Sequence, residues 1–327
     1  MKNFLSSNRR VACLAIGCAV LALGMNAQGA DFDRPLTIVV PFPPGGTTDI
    51  VARAVAEGMS RELKQTVVVE NRAGAGGNVG AEVVSRAKPD GHTLLVSTAG
   101  PLSINKHLYK KLGYDPERDF APVSMLASVP IMLVSNPQAP FKSLQEMISF
   151  AKANPGKLSY GSQGNGTTSH LTMELLKSQA GISLVHVPYR GSAPAANDLM
   201  GGVIQVMFDN SPSTLPFVEG GRMRGLAVAS AERVPAMKTL PSISEAVKGF
   251  ESVAWFALVA PANTPPDVVR QLNSAVNATL NRDDLRERFG ASGVTLKGGS
   301  PQDLALLIKD ESRKWAQVVK SVGVNLD

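Results

Sequence analysis

Short apolar runs alternate with segments of helical periodicity along most of this chain. Residues 35–41 (PLTIVVP) predict a buried strand, and the spacing of apolar residues from Ile50 to Met59 predicts the helix that follows it. Further strands are predicted at 66–70, 93–97, 157–160, 184–187, 203–208 and 226–229, and further helices at 81–87, 144–153 and 171–179. This order begins with doubly wound βαβ units and predicts an α/β protein with largely parallel sheets.

Two apolar segments are long enough to connect separate lobes. Residues 121–135 (APVSMLASVPIMLVS) and 253–260 (VAWFALVA) are apolar nearly throughout, and each contains or precedes a proline. We interpret them as crossovers, which predicts two lobes joined by a hinge with a cleft between them. The predicted division is lobe 1 at 30–128, with part of 255–327 returning to it, lobe 2 at 129–254, and a return crossover with C-terminal helices at 255–327.

The N-terminus has the pattern of a secretory signal peptide. Three basic residues precede an uncharged apolar run at 11–25, and the small residues Ala27 and Gly29 precede the expected cleavage point. We therefore expect residues 1–29 to be removed on export to the periplasm, since the run is too short to span a bilayer comfortably. A lipoprotein acylated at Cys18 is the alternative.

Composition excludes several classes of protein. With 327 residues, 44% of them hydrophobic, the chain is long enough for two domains and apolar enough to bury a core. Without residues 1–29, 30 basic residues face 27 acidic ones, and the absence of a basic stripe with interleaved aromatics argues against nucleic-acid binding. Both cysteines, Cys13 and Cys18, lie in the signal segment, so the mature chain is predicted to have no thiol nucleophile and no disulfide.

The loop after the first strand is the first candidate binding element. It reads PFPPGGTTD at residues 41–49, where prolines stiffen the turn and glycines allow a ligand to approach the backbone. Thr47 or Thr48 is expected to cap the following helix, with Asp49 in its first turn. The unpaired N–H groups of a helix N-terminus attract an anion. A capped turn without a ligand is the alternative.

A second loop with the same character lies in the other predicted lobe. Residues 161–170 read GSQGNGTTSH and precede the helix predicted at 171–179. Glycines, hydroxyls and an amide before a helix form a rim rich in hydrogen-bond donors, which suits carboxylate oxygens. Two such rims on opposite lobes are predicted to hold one anionic ligand.

Motifs for catalysis and for cofactors are absent from the sequence. Thr167 stands where a Walker A loop needs lysine, and the glycines of 74–80 miss the dinucleotide spacing by one residue. There is no H-E-x-x-H zinc motif and no G-x-S-x-G elbow. Ser169 and His170 diverge by about 100° on a helix, so they make a poor nucleophile and base pair. We predict no catalytic residue, no cofactor and no metal site.

Three further segments each follow a predicted strand and complete the predicted cleft. They are residues 97–100, 189–192 and 209–211, and α/β sheets bind ligands outside the carboxyl ends of strands. Arg190 offers a fixed positive fork, or alternatively pairs with a surface carboxylate. Asp209 orders waters or holds an amino group, or alternatively caps its loop.

Seven motifs occur in one order along the chain. They are RPLT at 34–37, VPFPPGGTTD at 40–49, VVENRAGAGGN at 68–78, KPDGHTL at 88–94, YGS at 160–162, SHL at 169–171 and VPYRG at 187–191. With these motifs the mature chain resembles, over essentially its full length, the Bug (Bordetella uptake gene) family. These proteins are the extracytoplasmic solute receptors of tripartite tricarboxylate transporters.

The resemblance implies a fold, a function and a set of ligand contacts. The implied fold is the two-lobed periplasmic-binding-protein fold, type II-like, which closes on a small carboxylate and presents it to a membrane permease. The implied ligands are dicarboxylates, tricarboxylates, acidic amino acids or aromatic acids, partly held through ordered waters. The implied contacts are Phe42, Gly46, Thr48 and Asp49, with Gly164, Thr167, Ser169 and His170 opposite, and Ala99, Tyr189 and Asp209 as a second tier.

On this basis we expect a monomeric, non-enzymatic receptor with permease subunits as partners. Two alternatives stay open at this point. One is an exported hydrolase or isomerase of an organic acid that uses His170 or Asp209. The other is a receptor that only signals, by docking on a sensor kinase.

Overall fold

The structure, a computed structural model, describes residues 32–323, and the predicted signal peptide lies outside them. Its strands are β1 Leu36–Val40, β2 Val67–Asn71, β3 Thr93–Thr98, β4 Phe120–Ser135, β5 Ser159–Ser162, β6 Val185–Pro188, β7 Val206–Asn210, β8 Arg224–Val228, β9 Val253–Pro261 and β10 Thr295–Leu296. Its helices are α1 Thr47–Leu63, α2 Asn78–Ser85, α3 Leu144–Ala153, α4 Thr168–Ala180, α5 Ser192–Met200, α6 Ser211–Glu219, α7 Pro266–Leu280, α8 Asp283–Gly290 and α9 Pro301–Val322. No helix within 32–323 is both long and apolar enough to cross a membrane.

The first half of the sheet begins with the predicted doubly wound units. β1 lies between β2 and β3 and is parallel to both. β9 then pairs antiparallel with β3, β4 pairs antiparallel with β9, and the short β10 adds to β4. We call these strands the first sheet half.

The second sheet half is built on the end of β4. Residues 131–135 of that strand pair antiparallel with β7 and residues 132–135 with β8, and β5 lies parallel to β7 and β6. Pro130 pairs with Val253 at the last position shared with β9, so the proline lies where β4 passes from one half to the other. The two long apolar segments of the sequence are therefore the antiparallel strands β4 and β9, and β4 runs through both halves.

Helices from the C-terminal region pack back onto the first sheet half. Adding a methyl group to Gly58 of α1 would place it 2.1 Å from the Thr279 side chain, so α1 and α7 are in close contact. Glu311 of α9 accepts hydrogen bonds from the indole N–H groups of Trp255 (3.0 Å) and Trp315 (2.9 Å). The bond from Trp255 joins α9 to β9, while the bond from Trp315 lies within α9.

One predicted strand was misplaced at its start. Residues 203–208 were expected to form a strand, but β7 begins at Val206 and extends to Asn210. Val203 is 63% exposed, because it lies in the turn after α5 rather than in the sheet. The shift matters for the site, since it places Asp209 inside the strand.

Candidate ligand-binding site

Loops from the two sheet halves meet in direct contact. A methyl group added to Gly76 would lie 2.0 Å from the carbonyl oxygen of Asn165, and one added to Gly100 would lie 3.2 Å from that of Gly166. The Tyr109 hydroxyl donates to the Asn165 carbonyl at 3.4 Å. The loops that follow β2 and β3 therefore lie against the loop that follows β5.

A second contact joins the halves through hydroxyl groups. The Thr47 hydroxyl, at the start of α1, donates to Ser213 Oγ at 3.0 Å, and Ser213 donates to the carbonyl of Asn210. A methyl group on Gly46 would lie 3.4 Å from the Ser192 Cβ. The start of α1 is therefore in contact with the starts of α5 and α6.

A cavity of about 200 Å³ lies where these loops meet. Phe42, residues 74–77 and Tyr109 line it on one side, and residues 163–165 and 188–190 on the other. Ligand sites typically enclose about 300–1,000 Å³, so this cavity suits a small molecule. Larger hollows of about 590 and 620 Å³ lie elsewhere on the surface and include none of the residues in the two predicted binding loops.

The start of α1 differs from the prediction. Neither Thr47 nor Thr48 caps the helix, because the N-cap position belongs to Gly46, which has no capping side chain. Thr47 is instead the first helical residue and its hydroxyl bonds to Ser213. The first N–H groups of α1 therefore have no side-chain acceptor, which leaves this helix end suited to an anion.

Asp49 is bound to its own loop, to α1 and to the end of β2. Its carboxylate accepts from the Gly45 N–H (3.1 Å) and the Asn71 amide (3.0 Å) and forms a salt bridge with Arg53 (2.9 Å). Burial opposes ionisation, but these hydrogen bonds outweigh it and hold the pKa of Asp49 below its ordinary value. The carboxylate stays charged and fixes the turn before α1.

The loop before α4 uses most of its own donors. Four of its backbone N–H groups donate within the loop and the start of α4: Gln163 N–H to Ser169 Oγ, Gly164 N–H to Ser162 Oγ, Gly166 N–H to His170 Nδ1, and Thr167 N–H to the Gly164 carbonyl. The Thr167 hydroxyl also donates to the Gly164 carbonyl, at 2.7 Å, and does not cap α4. The backbone N–H groups in the first turn of α4 have no capping side chain as acceptor.

His170 is buried, does not line the cavity, and supports the loop by accepting a hydrogen bond from the Gly166 N–H. Its ring stacks on that of His186 with centroids 4.2 Å apart, and the His186 ring stacks on Tyr160 at 4.7 Å. His186 Nε2 lies 2.7 Å from Ser162 Oγ. Burial lowers the pKa of His170 to about 4 and that of His186 to about 3, so both rings are neutral at neutral pH.

Asp209 joins three strand ends into one network. At the end of β7 it accepts hydrogen bonds from the Ser192 hydroxyl, the Gln163 side-chain amide and the Asn210 N–H. Burial raises the pKa of Asp209, with the hydrogen bonds from Ser192 and Asn210 acting in the opposite direction. The starts of α5 and α6 and the loop before α4 are thus held together by one buried carboxyl.

Of the eleven predicted contacts, the structure places three in the cavity wall. They are Phe42, Gly164 and Tyr189. Eight lie around the wall within the networks described above or buried beneath it: Gly46, Thr48, Asp49, Ala99, Thr167, Ser169, His170 and Asp209. Sequence analysis missed Tyr109, Gln163 and Asn165 as lining residues, although Gln163 and Asn165 stand within the glycine-rich motif that it identified.

Arg190 is the one charged residue that lines the cavity. It is exposed, and within residues 32–323 it makes no hydrogen bond or salt bridge, so the alternative pairing with a surface carboxylate is wrong. Across the same described range, no group of three or more histidine, cysteine, aspartate or glutamate side chains is placed to hold a metal ion. The cavity combines one cation with neutral donors.

Comparison with known proteins agrees with this geometry. Residues 51–324 match the family described as "Tripartite tricarboxylate transporter family receptor". The protein Rpa4515 of R. palustris, determined with adipate, is 39% identical, with a TM-score of 0.88 over 90% of this chain and 99% of that one. The periplasmic binding protein BugD is 37% identical, with a TM-score of 0.86 over 90% and 99%.

A third structure carries a different acid. MatC (Rpa3494) of Rhodopseudomonas palustris, with bound malate, is 35% identical, with a TM-score of 0.85 over 88% of this chain and 99% of that one. These likenesses confirm the periplasmic-binding-protein fold that the motifs implied.

Proposed function

Because the chain belongs to the receptor family of tripartite tricarboxylate transporters, which includes the Bug proteins, we propose that it binds a small carboxylate in the periplasm and delivers it to a membrane permease. The cavity of about 200 Å³ between the two sheet halves carries this proposal. It is small, it contains one positive charge and no negative one, and the lining loops at Phe42 and at 163–165 lead into α1 and α4, whose N-termini have no capping side chain.

The proposed mechanism is closure of two lobes around the acid. Lobe 1 comprises residues 30–128 with part of 255–327, and lobe 2 comprises 129–254. The antiparallel strands β4 and β9 form the hinge. In the closed cleft a carboxylate lies between the first turns of α1 and α4, where helix dipoles and unpaired N–H groups stabilise its charge. Water is displaced from the cavity as the lobes meet, which strengthens those interactions.

The acids bound by relatives support a carboxylate as ligand. Adipate is named for one relative and malate for another, and both proteins share at least a third of their residues with this chain. We include Phe42, Gly46, Thr48, Gly164, Thr167 and Tyr189 among the residues that contact the ligand or its bridging waters. Asp49, Ser169, His170 and Asp209 act through them, as supports of the two loops.

The hydroxyl and imidazole groups nearest the cavity do not favour an exported hydrolase. Ser162 and His186 are at hydrogen-bonding distance, but Ser162 is completely buried and holds the Gly164 N–H. A nucleophile needs access to its substrate, and this hydroxyl has none in this structure.

Thermal melting of the exported protein tests the proposal. The full-length gene is expressed, the mature protein is purified free of carried-over ligand, and it is melted with malate, adipate and the neutral diamide of adipate. An acid at 100 times its Kd adds about 2.7 kcal/mol to the unfolding free energy, a shift of several degrees. The acid should be recovered chemically unchanged. No shift with any acid, or conversion of the acid, contradicts the proposal.

A further inference from the structure

A hollow of about 330 Å³ lies between helices that belong to different sheet halves. One wall consists of Ile50 of α1 and of residues 288–289 and 291–292, at and just beyond the end of α8. α1 follows β1 and α8 leads into β10, so this wall belongs to the first half. The other wall is one face of α6, which follows β7 of the second half. We call this hollow the interlobe groove.

The α6 wall is a stiff apolar stripe that ends in a carboxylate. Its residues occupy the i, i+3, i+4 and i+7 positions of one helix face and are Pro212, Leu215, Pro216 and Glu219. Pro216 lies inside the helix, where it has no N–H to donate to the Pro212 carbonyl. That carbonyl therefore lacks its usual helical donor and can accept from a backbone N–H of a bound chain.

The facing wall supplies an aromatic ring and a cation. Phe289 is 3% exposed, and the Arg288 guanidinium lies over its ring, 5.3 Å from the ring centroid. Within residues 32–323 Arg288 makes no hydrogen bond or salt bridge, and neither does Glu219 on the opposite wall. An arginine is always charged, and its planar fork binds a carboxylate through two parallel hydrogen bonds. The groove therefore suits a protein segment with apolar side chains flanked by an acidic and a basic residue.

The groove extends from the contact across the cleft to the strand that joins the halves. At one end, the hydroxyl pair of Thr47 and Ser213 lies within one helical turn of lining residues on both α1 and α6. At the other end, Gly293 follows the last lining residue, and a methyl group there would lie 3.4 Å from Pro130 of β4. Because its two walls belong to different halves, a rigid-body movement of one half against the other must reshape the groove.

Two larger hollows on the surface differ in this respect. The one of about 590 Å³ is lined by residues between 107 and 110 and between 316 and 323, which all lie in the first half. The one of about 620 Å³ is lined by residues between 145 and 248, which all lie in the second half. A movement between the halves leaves both of these hollows unchanged. Of the three, the interlobe groove is the one whose shape depends on the arrangement of the lobes.

We infer that the interlobe groove docks an apolar segment of the membrane permease and lets the permease distinguish the loaded receptor from the empty one. The inference rests on the proposed function, in which the lobes close around an acid and deliver it to that permease. Closure brings the α6 wall against the wall of α1 and α8, so the groove is complete when the acid is bound. A large apolar side chain of the permease then fills the groove, and its charged neighbours pair with Arg288 and Glu219.

An uptake assay with added receptor tests this docking separately from ligand binding. Spheroplasts that keep the permease but lack the receptor gene are supplied with purified mature receptor, and uptake of labelled malate or adipate is measured against receptor concentration. Pro216→Gln makes an exposed part of one wall polar, and Arg288→Glu reverses the charge of the other. Each should raise the receptor concentration for half-maximal uptake about tenfold. Calorimetric titration should give the wild-type Kd for the acid in both variants, because neither residue lines the ligand cavity.

Two control variants make the same chemical changes outside the groove. Leu306→Gln replaces an apolar residue of α9 that is 61% exposed, and Arg270→Glu reverses an exposed charge on α7. Neither residue lines the groove, so both variants should support uptake at wild-type receptor concentrations. Equal effects of the groove variants and the controls would overturn the inference, as would an acid Kd that rises in step with the loss of uptake.

The same measurements separate this inference from the proposed function and from other occupants of the groove. If the wild-type protein binds an acid and supports uptake but the groove variants do so equally well, the proposed function stands and only the docking site is wrong. If no acid binds, or if bound acid is never taken up, both fail. A second acid site in the titration that Arg288→Glu abolishes would assign the groove to a small acid instead. A wild-type dimer in sedimentation that Pro216→Gln dissociates would assign it to a second copy of this chain.

Discussion

Replacing Gly76 with alanine should block closure of the cleft while leaving the fold intact. Gly76 has a φ of +63°, and its added methyl group would lie 2.0 Å from the Asn165 carbonyl across the cleft. Cβ atoms come no closer than about 3.0 Å to such neighbours, so the two loops must separate by about 1 Å. That gap also breaks the contact between Tyr109 and Asn165.

Gly76→Ala should lower both the unfolding free energy and the ligand affinity, and the two effects can be measured separately. The left-handed backbone at Gly76 costs an alanine about 1–2 kcal/mol of unfolding free energy, with or without ligand. The loss of closure weakens ligand binding in addition, and we expect at least a tenfold rise in Kd, about 1.4 kcal/mol. Urea unfolding of the ligand-free protein measures the first effect, and calorimetric titration with malate or adipate measures the second.

Gly181 supplies a matched control for the backbone strain. It has the same φ of +63°, but a methyl group there meets nothing within 4 Å. Gly181→Ala should therefore lose a similar amount of unfolding free energy and keep its ligand affinity. Small-angle scattering should show compaction on ligand addition for the wild type and Gly181→Ala only. Equal ligand affinity in Gly76→Ala and Gly181→Ala would refute the idea that these loops must meet for binding.

Three further predictions concern the network around the site and the packing of the C-terminal helix. Ser213→Ala removes the acceptor of the Thr47 hydroxyl across the cleft. Titration should show about fivefold weaker acid binding, as expected for the loss of one hydrogen bond of about 1 kcal/mol. An unchanged Kd would show that this hydrogen bond does not contribute to ligand binding. Burial lowers the pKa of His170 from 6.5 to about 4, so the contribution of this residue to the unfolding free energy should be complete above pH 6.5 and should fall as the pH drops towards 4. Urea unfolding across this window should show a shallower fall in His170→Gln. A wild-type unfolding free energy that does not change with pH would contradict the prediction. Glu311→Ala leaves the indole N–H groups of Trp255 and Trp315 unpaired and should lower the unfolding free energy by about 1–3 kcal/mol. Glu311→Gln should lower it less. Equal losses in the two variants would argue that the Glu311 carboxyl is not the acceptor of the two indole N–H groups.

The α/β architecture follows from the sequence because its signals are long, but the prediction of largely parallel sheets was wrong, because β4 and β9 pair antiparallel with all their neighbours. An uninterrupted apolar run such as 253–260 has to be buried on both faces, and it is the central strand β9. The alternation of strands and amphipathic helices at the start of the chain gives the parallel pairs of β1 correctly. The glycine and proline motif at 41–49 marks a turn that does reach the cleft, through Phe42.

The detailed wall of the site depends on contacts that sequence patterns do not encode. Tyr109 and Asn165 meet across 56 positions of sequence, and neither stands in a pattern that predicts the other. His170 was predicted as a ligand contact; the structure shows its Nδ1 accepting from the Gly166 N–H, a bond within the loop that no sequence pattern predicts. The expected cap at Thr47 was wrong because glycine occupies the N-cap position one residue earlier, so the hydroxyl was free to bond across the cleft.

A crystal structure of the exported protein with malate or adipate tests the central claim most directly. The account predicts one carboxylate of the acid between the first turns of α1 and α4, with the rest of the molecule in the cavity between Phe42 and Tyr189. It also predicts that the loops at Gly76 and Asn165 remain in contact around the acid. An acid bound at another surface, or a protein that stays open with the cavity empty at saturating acid, would contradict the claim.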